Sequence, residues 1–465
     1  MFERHILTDL DRWMNNPDRK PLVLRGARQV GKTTVVNDWG KRFKQYIYLN
    51  LELPDDKSHF LDFTDMTMLL QKIFFSKNKS LLLKDETLIF IDEIQEYPPA
   101  VNVLRYFYEH EPMVKIIAAG SMLESIFNNE MQFPVGRVEY KVLRPVSFPE
   151  YLGALGEDQV LEQLRNVPCP DFAHDRLLQH YHHYAVIGGM PEIIKQYVRH
   201  RDLKALRPVY DSLLTSYIND VEKYATGEAQ VQHIRHAIRA VLRAAGQRIT
   251  FAGFGQSVYG SREMGEALRT LEKVWLLHLV YPTNSATLPL MPDVRKSPRL
   301  HILDTGLLNY TVGLQKEILM TKDLSSVYRG KMMEHLSGQE LLAHQYEALS
   351  CLNFWSRDKN TSSAEVDFVV PFDGLVIPIE NKSGKTGTLR SLHQFMEEAP
   401  HDLAIRLYAG RINLSDVRTP KGKSFRLLNL PYYLATQLPE YLEWFINEPD
   451  SVSRLVRNPQ RIGGG

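Results

Sequence analysis

The run Leu22-Val23-Leu24-Arg25-Gly26-Ala27-Arg28-Gln29-Val30-Gly31-Lys32-Thr33-Thr34 leaves few architectures open. Its apolar start reads as a strand, and VVNDWGKRF at its end reads as a helix. A glycine, four residues and then Gly-Lys-Thr, set between strand and helix, is the phosphate-binding P-loop pattern. The chemistry needs that order. Glycines let backbone N–H groups wrap phosphates at a helix N-terminus, Lys32 reaches the outer phosphates, and Thr33 ligates magnesium. Gly26, Ala27, Arg28, Gln29, Val30, Gly31, Lys32, Thr33 and Thr34 are therefore the expected ATP-binding residues.

A second run supports the first. Thr87-Leu88-Ile89-Phe90-Ile91-Asp92-Glu93 is apolar without alternation, which suits a parallel strand covered on both faces, and it ends in two carboxylates. Ligands in such sheets gather at the carboxyl ends of the strands. Asp92 would hold the magnesium through water, and Glu93 would polarise the water that attacks the γ-phosphate. The strand Val114 to Ala119 leads to Ser121, placed either to sense the γ-phosphate or to cap the helix that MLESIF would form. Tyr46 to Glu52 reads as a further strand of the same sheet. Arg137 either neutralises transition-state charge, in its own site or in that of a second copy in a homo-oligomer, or is a surface arginine paired with Glu139 or another acid.

The segments LRGARQVGKTT, LIFIDEIQ, IIAAGS, VGRVEYKVLRPVSFPEYL and AVIGGMPE resemble those of bacterial and archaeal AAA-type ATPases that end in an uncharacterised nuclease-like domain. The resemblance covers nearly the whole chain. It implies an α/β protein with an AAA-type P-loop core over 1–150, a helical lid over 151–225, a winged helix-turn-helix over 226–310 and a restriction-endonuclease-like α/β domain over 311–460. It also implies that Gly188-Gly189-Met190-Pro191 belongs to the lid, near the nucleotide.

At 465 residues the chain is too long for one core, so several domains are expected. Lys and Arg, 56 together, balance the 55 Asp and Glu, so any basic surface must be local. Two distant cysteines, Cys169 and Cys351, exclude a disulfide framework or a cysteine-rich zinc module. The opening MFERHILTDLDRWMNNPDRK is charged throughout, and no apolar run approaches the ~18 to 20 residues of a membrane helix, so the expected setting is the cytoplasm without a membrane partner.

Helical periodicity runs from Pro145 to about residue 223. Beyond it, Ile234, Ala237, Ile238 and Val241 line one helix face, a short helical piece spans Phe251 to Val258, and Arg262 to Lys273 follows a tight turn. With the apolar strand Trp275 to Tyr281 this is the order of a winged helix, with Arg262 to Lys273 as recognition helix. Ten Lys/Arg against five Asp/Glu between Thr226 and Arg299 make the segment locally basic. Arg248, Arg262, Arg269 and Lys273 are the expected DNA contacts, while a docking module for protein is the competing reading.

In the last region, helix, strand, strand, strand, helix, strand is the core order of the PD-(D/E)xK nuclease fold, and the spacing from Asp367 to Glu380 resembles that of archaeal Holliday-junction resolvases. The fold asks for an acid, then Glu-x-Lys on the next strand, with a Glu from the preceding helix. Asp367, Glu380, Lys382 and Glu334 take those places. Period-two alternation puts Glu380 and Lys382 on one face, where Glu334, Asp367 and Glu380 would chelate Mg2+ and Lys382 would sit beside the attacking water. Glu365 faces the side of Asp367, as a rim charge or an extra ligand. The expected function is an ATP-hydrolysing enzyme that uses ATP and Mg2+ to handle branched, broken or single-stranded DNA, with a metal-dependent nuclease at the C-terminus. The alternative is a signalling-type ATPase switch with an inert C-terminal adaptor.

Overall fold

The computed structural model describes residues 3–61, 63–121, 136–223, 225, 227–315, 330–359, 362–382 and 389–447. The helix that MLESIF would form after Ser121 and the Ser-Gly loop after Lys382 lie outside them. No helix among the described residues is long and apolar enough to cross a membrane.

Five strands form the first sheet: β1 (Leu22–Arg25), β2 (Gln45–Asn50), β3 (Thr87–Asp92), β4 (Lys115–Ala119) and β5 (Glu139–Val142), in the order β2-β3-β4-β1-β5 and all parallel. Every residue of β3 is buried, as the unbroken apolar run required. Helices α1 (Ile6–Asn15) and α2 (Lys32–Gly40) cover one face, and α3 (Pro54–Ser58), α4 (Met66–Ser76) and α5 (Pro99–His110) accompany the other. Asp65 caps α4 by accepting from the Met68 N–H at 2.9 Å, closing one of the donors that a helix start leaves open.

Five helices follow: α6 (Phe148–Leu155), α7 (Asp158–Arg165), α8 (His174–Ile187), α9 (Pro191–His200) and α10 (Arg207–Asn219). Ser147 and Glu150 form a reciprocal capping box at the start of α6. The segment expected as a winged helix comprises α11 (Glu228–Ala244), α12 (Ser261–Lys273), β6 (Leu277–Val280), β7 (Pro282–Thr283) and β8 (Arg299–Ile302), with β6 and β8 antiparallel. The helical piece expected over Phe251 to Val258 is only the 3-10 turn Phe254–Gln256. Gly253 and Gly255 take left-handed φ of +67° and +64°, which ends any helix there.

The chain then runs through α13 (Thr305–Val312) and α14 (Lys331–Ala343) into β9 (Phe354–Lys359), β10 (Ser362–Val366), β11 (Phe368–Phe372) and β12 (Leu375–Asn381). The last elements are α15 (Arg390–Glu398), β13 (Leu403–Tyr408), β14 (Asn413–Arg418), β15 (Ser424–Pro431) and α16 (Leu438–Asn447). The second sheet has the order β11-β12-β13-β15-β14, with β11 and β12 as an antiparallel hairpin and β13 parallel to β12. Strand β7 pairs in parallel with β9, so the middle segment contributes a strand to the region that follows it.

One apolar cluster runs from Val146 through Ile234, Leu268 and Leu279 to Phe445. At its centre Glu340 of α14 is buried and accepts from Tyr184 Oη at 2.6 Å, from the Phe148 N–H at 3.0 Å and from the Thr436 hydroxyl. Burial pushes its pKa up to about 7 from an ordinary value of 4.5. A carboxyl that holds its proton more tightly when folded stabilises fully below its unfolded pKa and loses that contribution as pH rises through the folded one. Wild type should therefore lose on the order of 3 kcal/mol relative to Glu340→Gln between about pH 4.5 and about pH 7. Denaturant titrations of the two proteins across that window check this, and parallel curves would rule it out.

Candidate functional site

Strand β1 delivers the chain to the P-loop at the carboxyl edge of the first sheet. Gly26 has φ +134°, and a Cβ there would lie 2.2 Å from the Leu143 carbonyl oxygen, so only glycine allows this approach. Lys32 opens α2, and its ammonium donates to the Gly26 and Ala27 carbonyls at 2.9 Å each. Burial lowers its pKa to about 8, with Glu93 and Asp92 opposing, so it is charged at neutral pH.

Thr33 Oγ1 donates to Asp92 Oδ2 at 2.7 Å, and Tyr48 Oη donates to the same oxygen at 3.2 Å. Burial raises the Asp92 pKa, while the Thr33 hydroxyl holds it down. A hydroxyl and a carboxylate in contact at the end of β3 are the hard oxygen donors that Mg2+ takes, so these residues fit the ion. Glu93, in a left-handed turn at φ +50°, accepts from the Gln95 amide, and its N–H donates to Asp92 Oδ1 at 3.1 Å. Ser121 is buried just beyond β4, the strand between β3 and β1, and so stands at the same edge.

Four residues, Asp220, Tyr217, Pro191 and Arg4, tie this site to the helices that follow the first sheet, and none of these contacts was visible in the motif. Arg28 pairs with Asp220 at 2.5 Å, and Tyr217 Oη donates to the Arg28 carbonyl at 3.0 Å. Pro191 Cγ lies 3.6 Å from where a Cβ on Gly31 would be, which places the Gly-Gly-Met-Pro turn against the loop. Buried Arg4 bonds the Val30 carbonyl at 3.1 Å and pairs with Glu150 at 3.0 Å.

Arg137 does not reach its own site. Leu22 is in register with Glu139, so Arg137 precedes the amino end of β5, roughly 16 Å along the strands from Arg25. It bonds Glu109 of α5 at 2.6 Å, while Glu139 accepts from the Lys20 N–H. A role in the site of a second copy stays an expectation.

On α12 the exposed residues Arg262, Glu266, Arg269 and Lys273 fall at i, i+4, i+7 and i+11, a single stripe opposite buried Met264, Ala267, Leu268 and Leu271. Arg262 bonds Glu266 at 3.1 Å. Arg248, expected as a DNA contact, lies apart from this stripe. It faces the C-terminal region, donating to Glu365 Oε1 at 2.6 Å and to the Ser297 carbonyl at 3.2 Å, so its charge is used internally.

The acidic residues of the last region share one neighbourhood. Glu380 and Lys382 are joined at 3.0 Å, as their shared strand face required. Asp367 Oδ2 accepts from the Asn381 N–H at 2.8 Å, which ties it to the strand that carries both. Burial raises the pKa of both Glu334 and Glu380 above the ordinary carboxylate range. The metal set expected from Glu334, Asp367 and Glu380 is nevertheless not assembled: among the described residues no group of three or more His, Cys, Asp or Glu side chains could hold a metal ion. The reason is Arg299, which in the sequence stands only as one of the ten basic residues between Thr226 and Arg299. From β8 its Nη1 meets Glu334 and lies 4.0 Å from Asp367 Oδ1, its Nη2 pairs with Glu365 at 3.0 Å, and its guanidinium carbon sits 4.4 Å from the centre of the Phe354 ring. Burial pulls the Arg299 pKa down, and the three carboxylates more than reverse that. The residues as placed do not fit Mg2+. The signal for it in the sequence was a cation opening the buried strand Arg299-Leu300-His301-Ile302.

Residues 18–152 match the family model of the AAA domain. Residues 178–318 and 329–433 match two domains of unknown function, DUF8612 and DUF4143. No curated protein matches the chain. Among solved structures, the Walker-type ATPase paby2304 of Pyrococcus abyssi is 15% identical with a TM-score of 0.44, over 67% of this chain and 96% of that one. A signal-transduction ATPase with numerous domains and a tetratricopeptide repeat sensor, from Pyrococcus horikoshii, is 11% identical with a TM-score of 0.28, over 74% of this chain and 48% of that one. The C. elegans protein PCH-2 is 12% identical with a TM-score of 0.21, over 58% of this chain and 67% of that one. The first part of the chain is an AAA-family ATPase domain.

Proposed function

We propose that the AAA domain over residues 18–152 hydrolyses ATP and that the rest of the chain couples this turnover to DNA. Backbone N–H groups from Gly26 to Thr34 cradle the phosphates, and Lys32 leaves the loop carbonyls to meet the outer ones. Glu93 orients the attacking water, with Gln95 holding its carboxylate. Mg2+, when held by Thr33 and Asp92, supplies charge neutralisation at the phosphates.

The observation that carries the DNA part is the α12 stripe. Three cations on the open face of the third helical piece of a winged helix suit phosphate contacts. DNA should raise ATP turnover, and Arg262→Ala/Arg269→Ala/Lys273→Ala should lose the DNA-dependent increment. It should also lower the slope of log affinity against log salt by roughly 3 in magnitude, about one per lost phosphate contact. Turnover that is equal with and without DNA would sink the proposal.

Strand cleavage is not part of it, because the acids of the C-terminal domain are engaged by Arg299. That same observation favours a second reading, a regulatory switch whose C-terminal domain is an inert adaptor. Turnover indifferent to DNA would leave that reading standing.

A further inference from the structure

Arg299 belongs to the winged-helix unit, yet its side chain is buried in the acidic cluster of the domain that follows. It contacts three of the acids there: Glu334 on Nη1, Glu365 on Nη2, and Asp367 through both its backbone oxygen, at 3.2 Å from Nη1, and its carboxylate, at 4.0 Å. These are contributions from a helix, a strand and the residue that joins that strand to the next, converging on one positive charge. A guanidinium and a divalent cation compete for such oxygens, since both are held by carboxylates and carbonyls and neither accepts a hydrogen bond.

A second observation is independent of Arg299. Glu380 is 2% exposed, and its Oε1 takes Lys382. Its Oε2 is buried with no hydrogen-bond partner among the described residues, beside Asp367, whose charge acts on it. An orphaned carboxylate oxygen in a buried site is costly unless something cationic or a donor meets it.

We propose that Arg299 is an intramolecular plug: the winged-helix unit holds a guanidinium where a divalent cation would sit between Glu334 and Asp367, and the C-terminal acids bind Mg2+ or Mn2+ only once that side chain is removed or withdrawn. Arg248 acts differently, because it reaches Glu365 alone. Neither DNA binding nor cleavage enters this assignment.

The test is a titration of the full chain with Mn2+ in the absence of nucleotide, followed by electron paramagnetic resonance and calorimetry. Arg299→Met keeps the bulk of the side chain, and Arg299→Gln serves if that variant fails to fold. Circular dichroism checks each one. The plugless chain should bind one Mn2+ at least about tenfold more tightly than wild type, with Kd on the order of 10⁻⁴ M or tighter. Adding Asp367→Asn or Glu380→Gln to it should abolish the site. Arg299→Lys and Arg248→Met should behave like wild type. The proposal is overturned if wild type already binds Mn2+ at a site that Asp367→Asn removes. It is equally overturned if a folded Arg299→Met or Arg299→Gln chain gains no site.

Discussion

Glu93→Gln is expected to cut ATP turnover by roughly 10²–10⁴-fold while ATP binding stays near that of wild type. The amide keeps the size of the carboxylate and the left-handed turn at φ +50°, but it cannot draw a proton from water. Glu93 touches neither Thr33 nor Lys32 in the hydrogen-bond network, which runs through Asp92 and the loop carbonyls, so the phosphate cradle is left in place. Lys32→Ala should lose binding and turnover together, so the two variants separate the chemical step from the cradle. Equal turnover in Glu93→Gln and wild type would remove Glu93 from the reaction.

Gly306→Ala is expected to destabilise the protein by roughly 3 kcal/mol or more, through overpacking against parts that cannot yield. A Cβ on Gly306 would meet the Ile187 carbonyl oxygen at 2.1 Å and the Gly188 nitrogen at 2.9 Å, both backbone atoms. The same contact holds the Gly-Gly-Met-Pro turn onto α13: buried Asp304 caps α13 at the Leu307 N–H, 3.0 Å away, and accepts from the Gly189 N–H at 2.5 Å. Because Pro191 then stands against Gly31, ATP affinity should fall along with the melting temperature. A thermal melt and an ATP titration measure the two effects. An unshifted melt would mean that the turn slides away from α13 at no cost.

The nucleotide edge was legible because its chemistry is local. Gly26 to Thr34 is contiguous, and Asp92 and Glu93 end an unbroken apolar strand, so period and spacing alone place them. The Glu380–Lys382 pair was legible for the same reason, two residues apart on one strand. Contacts made across long chain separations were not. Nothing near Arg248 or Arg299 marks them as partners of Glu365 and Glu334, and a basic count over Thr226 to Arg299 treats both as surface charge. Arg137 left two readings open in the sequence, and only strand register, which puts it at the far end of the sheet on Glu109, separates it from its own site. The break in the helical piece expected over Phe251 to Val258 was spelled out by Gly253 and Gly255, whose breaking effect outweighs the apolar spacing around them.

The apolar cluster from Val146 to Phe445 bears on how the chain can be dissected. Cutting it near residue 225 or residue 310 would follow the motif borders yet slice through a shared interior, stripping Leu268, Leu279 and Ile302 of their neighbours on the far side. Strand β7 would lose β9, and Arg248 and Arg299 would lose their acids. Fragments made that way would expose sticky faces and aggregate, so an inactive isolated C-terminal piece would say nothing about the activity of the intact protein. Point substitutions in the whole chain are the sounder instrument for this molecule.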